Sequence, residues 1–292
     1  MFKGSLVALV TPFDEQDRID DEALAGLIDW HVAAGTSAIV AAGTTGESPT
    51  LETSEHVDYI RRCVELAAGR IPVIAGTGSN STAQTLHLTR EVSRLDVAGF
   101  LLVVPYYNKP PQEGLYRHFK TIADAVDKPQ LLYNVPGRTV ADLLPETVER
   151  LAALPNVVGI KEATGDIERM KDIRRRCGED FCLLSGDDAT ACDFMLQGGD
   201  GVISVTANVA PEGFAEMCRL ALSGDAEAAH QADQPLAALH RDLFVEANPI
   251  PVKWALWRMG RIGPGIRLPL TPLAESAHDR VTAALAQANI RS

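Results

Sequence analysis

Basic charge is scarce in this chain: 27 lysines and arginines stand against 39 aspartates and glutamates, a formal net charge of −12. The two signs are interspersed, so a nucleic-acid or anionic-membrane surface is disfavoured. Cysteine is sparse too. Cys63, Cys177, Cys182, Cys192 and Cys218 are odd in number and show no CxxC spacing, which argues against a disulfide framework and reads as reduced cytosolic thiols. Long hydrophobic runs are missing: the opening "MFKGSLVALVTPF" is cut by Pro12 and Asp14, too soon for a signal sequence or a membrane span. The expectation is a cytoplasmic protein without membrane contact.

Recognisable cofactor and metal patterns are also missing. No GxxxxGK[ST] occurs, and "GTGSNS" breaks the GxGxxG pattern at its last position, so neither a phosphate loop nor a dinucleotide fingerprint is present. The seven histidines are scattered, without HxH or HExxH spacing, which disfavours a metal hydrolase or metal aldolase. Asp187 and Asp188 could hold a magnesium ion, but a helix cap is the simpler reading. They would also repel a phosphate ester. No cofactor and no metal are expected.

What the sequence does contain is alternation. Eight runs rich in valine, isoleucine and leucine, at 6–11, 38–42, 72–76, 99–105, 130–135, 157–163, 181–186 and 201–206, read as parallel strands buried on both faces. Helical patterns lie between them, one starting at a Thr53 or Ser54 cap and one after Asn80. Eight such units in about 220 residues predict a (β/α)8 barrel over residues 1–224. Residues 225–292 carry three further amphipathic segments separated by proline-containing turns, a C-terminal helical appendage. Trp254 and Trp257 repeat within it at helical spacing and read as core or interface packing.

Active sites of such barrels lie at the C-terminal strand ends. Of the seven lysines, Lys161 alone sits within a predicted barrel strand, "VVGIKEATGD". Alternation places Val157, Gly159, Lys161 and Ala163 on one face and Val158, Ile160 and Glu162 on the other. Gly159 and Ala163 are small enough to leave room for the lysine stem. Burial disfavours an ammonium ion, so Lys161 reads as a neutral nucleophile for a carbonyl carbon, or as a strand-end lysine paired with Glu162 or Asp187. "LLYNVPGR" adds Tyr133 and Arg138: a proton carrier and a bidentate carboxylate clamp, or a core tyrosine and a solvated arginine. "AAGTTGES" offers Thr44 and Thr45 between glycines that admit a carboxylate.

The segments "GTTGES", "PYYNKP", "YNVPGR", "GIKEATGD", "SGDD" and "NPIPVKW", in this order over nearly the whole chain, resemble the dihydrodipicolinate synthase family. The wider superfamily of pyruvate-dependent aldolases also holds N-acetylneuraminate lyase and 2-keto-3-deoxy sugar-acid aldolases. The resemblance implies that Lys161 forms an imine with pyruvate. The enamine then attacks L-aspartate 4-semialdehyde to give 4-hydroxy-tetrahydrodipicolinate, on the route to diaminopimelate and lysine. It further implies a relay of Tyr133, Thr44 and Tyr107, the last reaching in from a neighbouring subunit of a homotetramer. Pyruvate binding falls to Thr45 with backbone at Gly186 and Ile203, and Arg138 anchors the semialdehyde carboxylate. An inhibitory lysine site in this family maps to Ser48, His56, Asn80, Gln84 and Tyr106. Here Gln84 and Pro49 depart from lysine-sensitive members, which commonly have a carboxylate and a small residue. Loss of that ion-pair hydrogen bond removes roughly 1.5–3 kcal/mol, so weak lysine feedback is expected.

Overall fold

The computed structural model describes residues 2–291; Met1 and Ser292, the outer limits of the two predicted regions, lie outside them. Eight parallel strands close a barrel in sequence order: β1 Gly4–Ala8, β2 Ala38–Ala41, β3 Val73–Gly76, β4 Gly99–Val103, β5 Gln130–Asn134, β6 Val157–Glu162, β7 Cys182–Ser185 and β8 Gly201–Ser204. Around them run α1 Asp21–Ala33, α2 Thr53–Ala67, α3 Thr82–Val92, α4 Gln112–Ala123, the single turn α5 Pro136–Thr139, α6 Pro145–Ala152, α7 Ile167–Cys177, α8 Ala191–Leu196 and α9 Pro211–Ser223. Beyond Gly224 come α10 Ala226–Asp233, α11 Ala237–Asp242, α12 Ile250–Arg258 and α13 Glu275–Gln287. Among the described residues no helix is long and apolar enough to cross a membrane.

Two apolar layers hold the barrel together. Leu6, Val40, Ile74, Leu101, Leu131, Leu184 and Ile203 point inward and fill its interior. Their strand neighbours Val7, Ile39, Ala75, Phe100, Leu132, Ile160 and Val202 point outward against the helices. Each such fully buried aliphatic side chain contributes on the order of 1.5–3 kcal/mol. The C-terminal helices join the outer layer through Leu239, Val252, Leu256 and Val281. Trp254 is buried and stacks on His278 at 4.6 Å, whereas Trp257 is 42% exposed.

Several local expectations change. The α2 helix is preceded by Glu52, whose side chain makes no cap bond; Thr53 and Ser54 are already helical, so neither is the cap. Ser81 caps α3 by accepting from Gln84 N. The first C-terminal segment is not continuous, because Pro235 in a 3-10 turn separates α10 from α11. Strict alternation in β6 also fails. Gln130 pairs with Val157 but Leu131 pairs with Gly159, so Val158 is a bulge residue and the face pattern slips by one. Val157 consequently packs in the outer layer and Val158 against the interior, the reverse of the expected order. From Gly159 onward the alternation holds, and Lys161 faces inward as expected.

Candidate active site

Lys161 and Tyr133 are direct partners across adjacent strands. Both side chains therefore leave the sheet on the same face, and Lys161 Nζ stands 4.3 Å from the centroid of the Tyr133 ring. They are buried, at 6% and 7% exposed. Neither Glu162 nor Asp187 pairs with the amine, so the structural alternative to a free lysine fails. Glu162 points the other way and joins Arg169 at 3.0 Å and Asn134 at 3.1 Å. Asp187 caps the turn before α8 through Thr190 N, and Asp188 accepts the backbone N–H groups of Val205 and Thr206.

Room for the lysine stem comes from a different glycine than expected. A Cβ on Gly186 would lie 2.9 Å from Lys161 Cε and 2.6 Å from Ala163 Cβ, closer than real contacts allow. The missing side chain at Gly159 instead admits Cys182 O of β7, 2.3 Å from where a Cβ would be. The Gly186 N–H is already donated to Glu162 O at 2.7 Å. Any help it gives a carboxylate is therefore not that donor. Ile203 is a buried interior residue of β8.

The strand ends on either side of the pair are locked from behind. Arg169 bridges Glu162 and Asp142, while Asn134 donates to both carboxylates and accepts from Leu143 N. Burial pushes the Glu162 carboxyl up from its usual value, against the opposing pull of Arg169. This network fixes the residues adjacent to Tyr133 and Lys161 in the chain, so their backbones have little freedom.

Above the barrel opens a cavity of about 440 Å³ whose lining includes Thr44, Ser48, His56, Gln84, Tyr106 and Arg138. The predicted relay threonine, the arginine clamp and four residues of the predicted lysine site thus share one space. Asn80 does not line it; its carbonyl accepts from Asn108 Nδ2. His56 Nε2 is bound to Gly76 O at 2.8 Å, and burial lowers its pKa. Lys161 and Tyr133 do not reach the cavity lining. Tyr107 is 86% exposed, with φ +74°, and does not line the cavity either.

Asn248, which the sequence reading passed over, ties two site residues together. Its Nδ2 donates to Thr45 Oγ1 at 3.0 Å, and its carbonyl accepts from Arg138 Nη2 at 3.3 Å. The motif "NPIPVKW" carried a signal for it: an asparagine at a turn is a local hydrogen-bonding residue, although its partners lie far away in the chain. The barrel mouth thus carries an amine without a carboxylate partner among the described residues beside a phenol, with a threonine hydroxyl and a guanidinium lining the cavity above. That set suits imine chemistry on a small keto acid.

The model of the dihydrodipicolinate synthetase family matches residues 1–288. The chain belongs to the dihydrodipicolinate synthetase family. It is 61% identical over 290 residues to the 4-hydroxy-tetrahydrodipicolinate synthase of Alcanivorax borkumensis, covering 99% of each chain. The dihydrodipicolinate synthase of Acinetobacter baumannii, described as chloride-inhibited and solved with pyruvate, superposes with a TM-score of 0.98 at 50% identity. That match covers 99% of this chain and 100% of the other. A dihydrodipicolinate synthase variant described as monomeric matches at 43% identity and a TM-score of 0.96, over 99% and 97% of the two chains. The closed eight-stranded barrel is therefore the dihydrodipicolinate synthetase architecture, and the motifs read from the sequence belong to that family.

Proposed function

We propose that this chain is a lyase condensing pyruvate with L-aspartate 4-semialdehyde to 4-hydroxy-tetrahydrodipicolinate, with Lys161 as the nucleophile. The carrying observation is a buried lysine that has no carboxylate partner among the described residues and stands beside a tyrosine. Lys161 Nζ attacks the keto carbon of pyruvate and water leaves, giving a protonated imine. That cation makes the methyl group acidic, and its proton passes to Tyr133; the resulting enamine carbon bonds to the aldehyde carbon, whose oxygen takes a proton as the imine is restored. The amino group of the adduct then closes on the imine carbon and expels Lys161. Tyr133 carries protons at the imine with Thr44, Thr45 holds the pyruvate carboxylate near Ile203, and Arg138 takes the carboxylate of the aldehyde.

Tyr107 belongs to this reading as a group donated to a neighbouring copy, which its exposure supports. The assembly is then a homotetramer, although one relative is described as monomeric. The acidic, thiol-bearing chain acts in the cytoplasm, residues 1–224 carrying the chemistry and 225–292 supporting it. Borohydride reduction with pyruvate, followed by peptide mapping, tests the assignment. A reduced pyruvyl adduct is expected on Lys161; its appearance elsewhere, or its absence, overturns the reading.

A further inference from the structure

A buried ion pair joins the C-terminal region to the turn that carries Thr44 and Thr45. The Glu47 side chain is fully withdrawn from water and that of Lys253, on α12, is 4% exposed. Lys253 Nζ donates to Glu47 Oε1, and Arg267 N donates to Glu47 Oε2 at 2.9 Å. Glu47 itself adopts a left-handed conformation, φ +55°, which a residue with a Cβ enters only at a cost. Its N–H donates to Thr44 O at 3.1 Å. The Arg267 guanidinium continues outward to Glu55, through two contacts of 2.7 Å, and to Thr50 O.

Such a pair is a poor way to gain stability. Withdrawing two charges from water costs several kcal/mol per ion, and a well-packed apolar pair of similar volume is often as stable. What a carboxylate between two fixed donors does supply is direction, since each oxygen is held by a different element. Asn248 adds a second tie from the same region, directly onto Thr45 Oγ1. From the opposite side, Thr11 Oγ1 donates to Gly46 O at 2.6 Å. The turn is thus held at Thr45, Gly46 and Glu47, and Thr44 is fixed between those ties and β2.

We infer that Lys253, Arg267 and Asn248 are positioning residues. They reach across from the C-terminal region and hold the Thr44–Thr45 turn where pyruvate is bound and deprotonated. The inference rests on the pyruvate reading proposed above. It makes the appendage part of the active site's geometry, although none of its helices carries the nucleophile.

The test uses the full-length protein and measures the pyruvate concentration that half-saturates borohydride trapping on Lys161, alongside steady-state kinetics. The double variant Glu47→Gln/Lys253→Met removes both charges and so avoids an unpaired buried ion. Its half-saturating pyruvate is expected to rise by about fivefold or more, the loss of a hydrogen-bonded constraint, while saturating pyruvate still labels Lys161. Asn248→Ala, which leaves the ion pair intact, is expected to shift the same quantity and covers the case in which the double variant does not fold. Arg280→Met, breaking a contact to Asp242 in the same region, should lower thermal stability without moving half-saturation. If the folded double variant or Asn248→Ala stays within about twofold of the parent, the inference is wrong. If Arg280→Met moves half-saturation as far, the effect is general loosening and the inference again fails. Absence of trapping in the parent protein removes the pyruvate reading itself, a separate outcome.

Discussion

Lys161 at the barrel mouth and Lys253 beneath the β2–α2 turn are both withdrawn from water, at 6% and 3% exposed, yet their surroundings are opposite. Lys253 has Glu47 against its Nζ and the ring of Phe13 at 4.4 Å. Burial pulls its pKa down from the usual lysine value while Glu47 pulls it back up. Lys161 has an aromatic face and a gap left by Gly186, but no carboxylate among the described residues. A buried lysine with a fixed counterion is occupied; one without is available. On the reading proposed above, that difference gives the nucleophilic chemistry to Lys161 and a positioning role to Lys253.

Removing each lysine should therefore break different things. Lys161→Ala should cost on the order of 10³-fold or more in kcat/KM, because no other group supplies the amine. Its stability in urea should be near that of the parent, and a variant retaining more than a tenth of the parent's kcat/KM would dissolve the contrast. Lys253→Met should do the reverse at first order. Stranding Glu47 without its counterion should destabilise the fold by about 3–5 kcal/mol, read from chemical denaturation midpoints.

Buried bases without a counterion elsewhere sharpen the point, since want of a counterion alone does not make a site. His31 and His118 each have an unbonded buried Nε2, and burial pushes both pKa values down to about 4. Between pH 6.5 and about 4 the unfolded chain binds protons that the folded chain refuses. Stability should then fall as pH drops through this window, by on the order of 3 kcal/mol for each group. Urea titrations at pH 7 and 4.5 measure the fall, and His118→Gln should flatten it without changing turnover at pH 7.

Arg138→Ala should raise KM for the aldehyde substrate by a factor corresponding to about 1.5–3 kcal/mol. Half-saturation by pyruvate should move little; equal shifts for both substrates would merge the two carboxylate sites. The smallest effect concerns lysine. Gln84 lines the shared cavity as a neutral amide bonded to Ser79, so inhibition below about 1 mM lysine is not expected in a steady-state assay.

The barrel was legible because each strand is a short apolar run flanked by glycines, prolines or polar turns: seven observed strands fall within the predicted runs, and β1 overlaps its run but starts two residues earlier, at Gly4. Lys161 was legible for the same reason, as a cation standing where apolar residues surround it. The slip at Val158 was not, since "VVG" offers identical side chains to either face. Lys253 was hidden by its setting: it lies on a helix, where lysines are usually exposed, and its partner Glu47 is 206 residues away. Asn248 was quoted as part of a motif, but its contacts to Thr45 and Arg138 exist only once the chain returns over the barrel mouth. Tyr107 stays outside the cavity in a single chain.

The bulge at Val158 has a meaning for how this strand tolerates change. By absorbing one residue between Val157 and Gly159, it uncouples the phase of the barrel floor from the phase of the mouth. Insertions or deletions on the floor side of Val158 can be taken up there, leaving Lys161 aimed inward beside Tyr133. One residue added between Gly159 and Lys161 would instead turn the amine toward the helices and bring Glu162's carboxylate into the barrel. The Lys161 half of β6 is, in that sense, a cassette whose reading frame is set locally, three residues before the lysine.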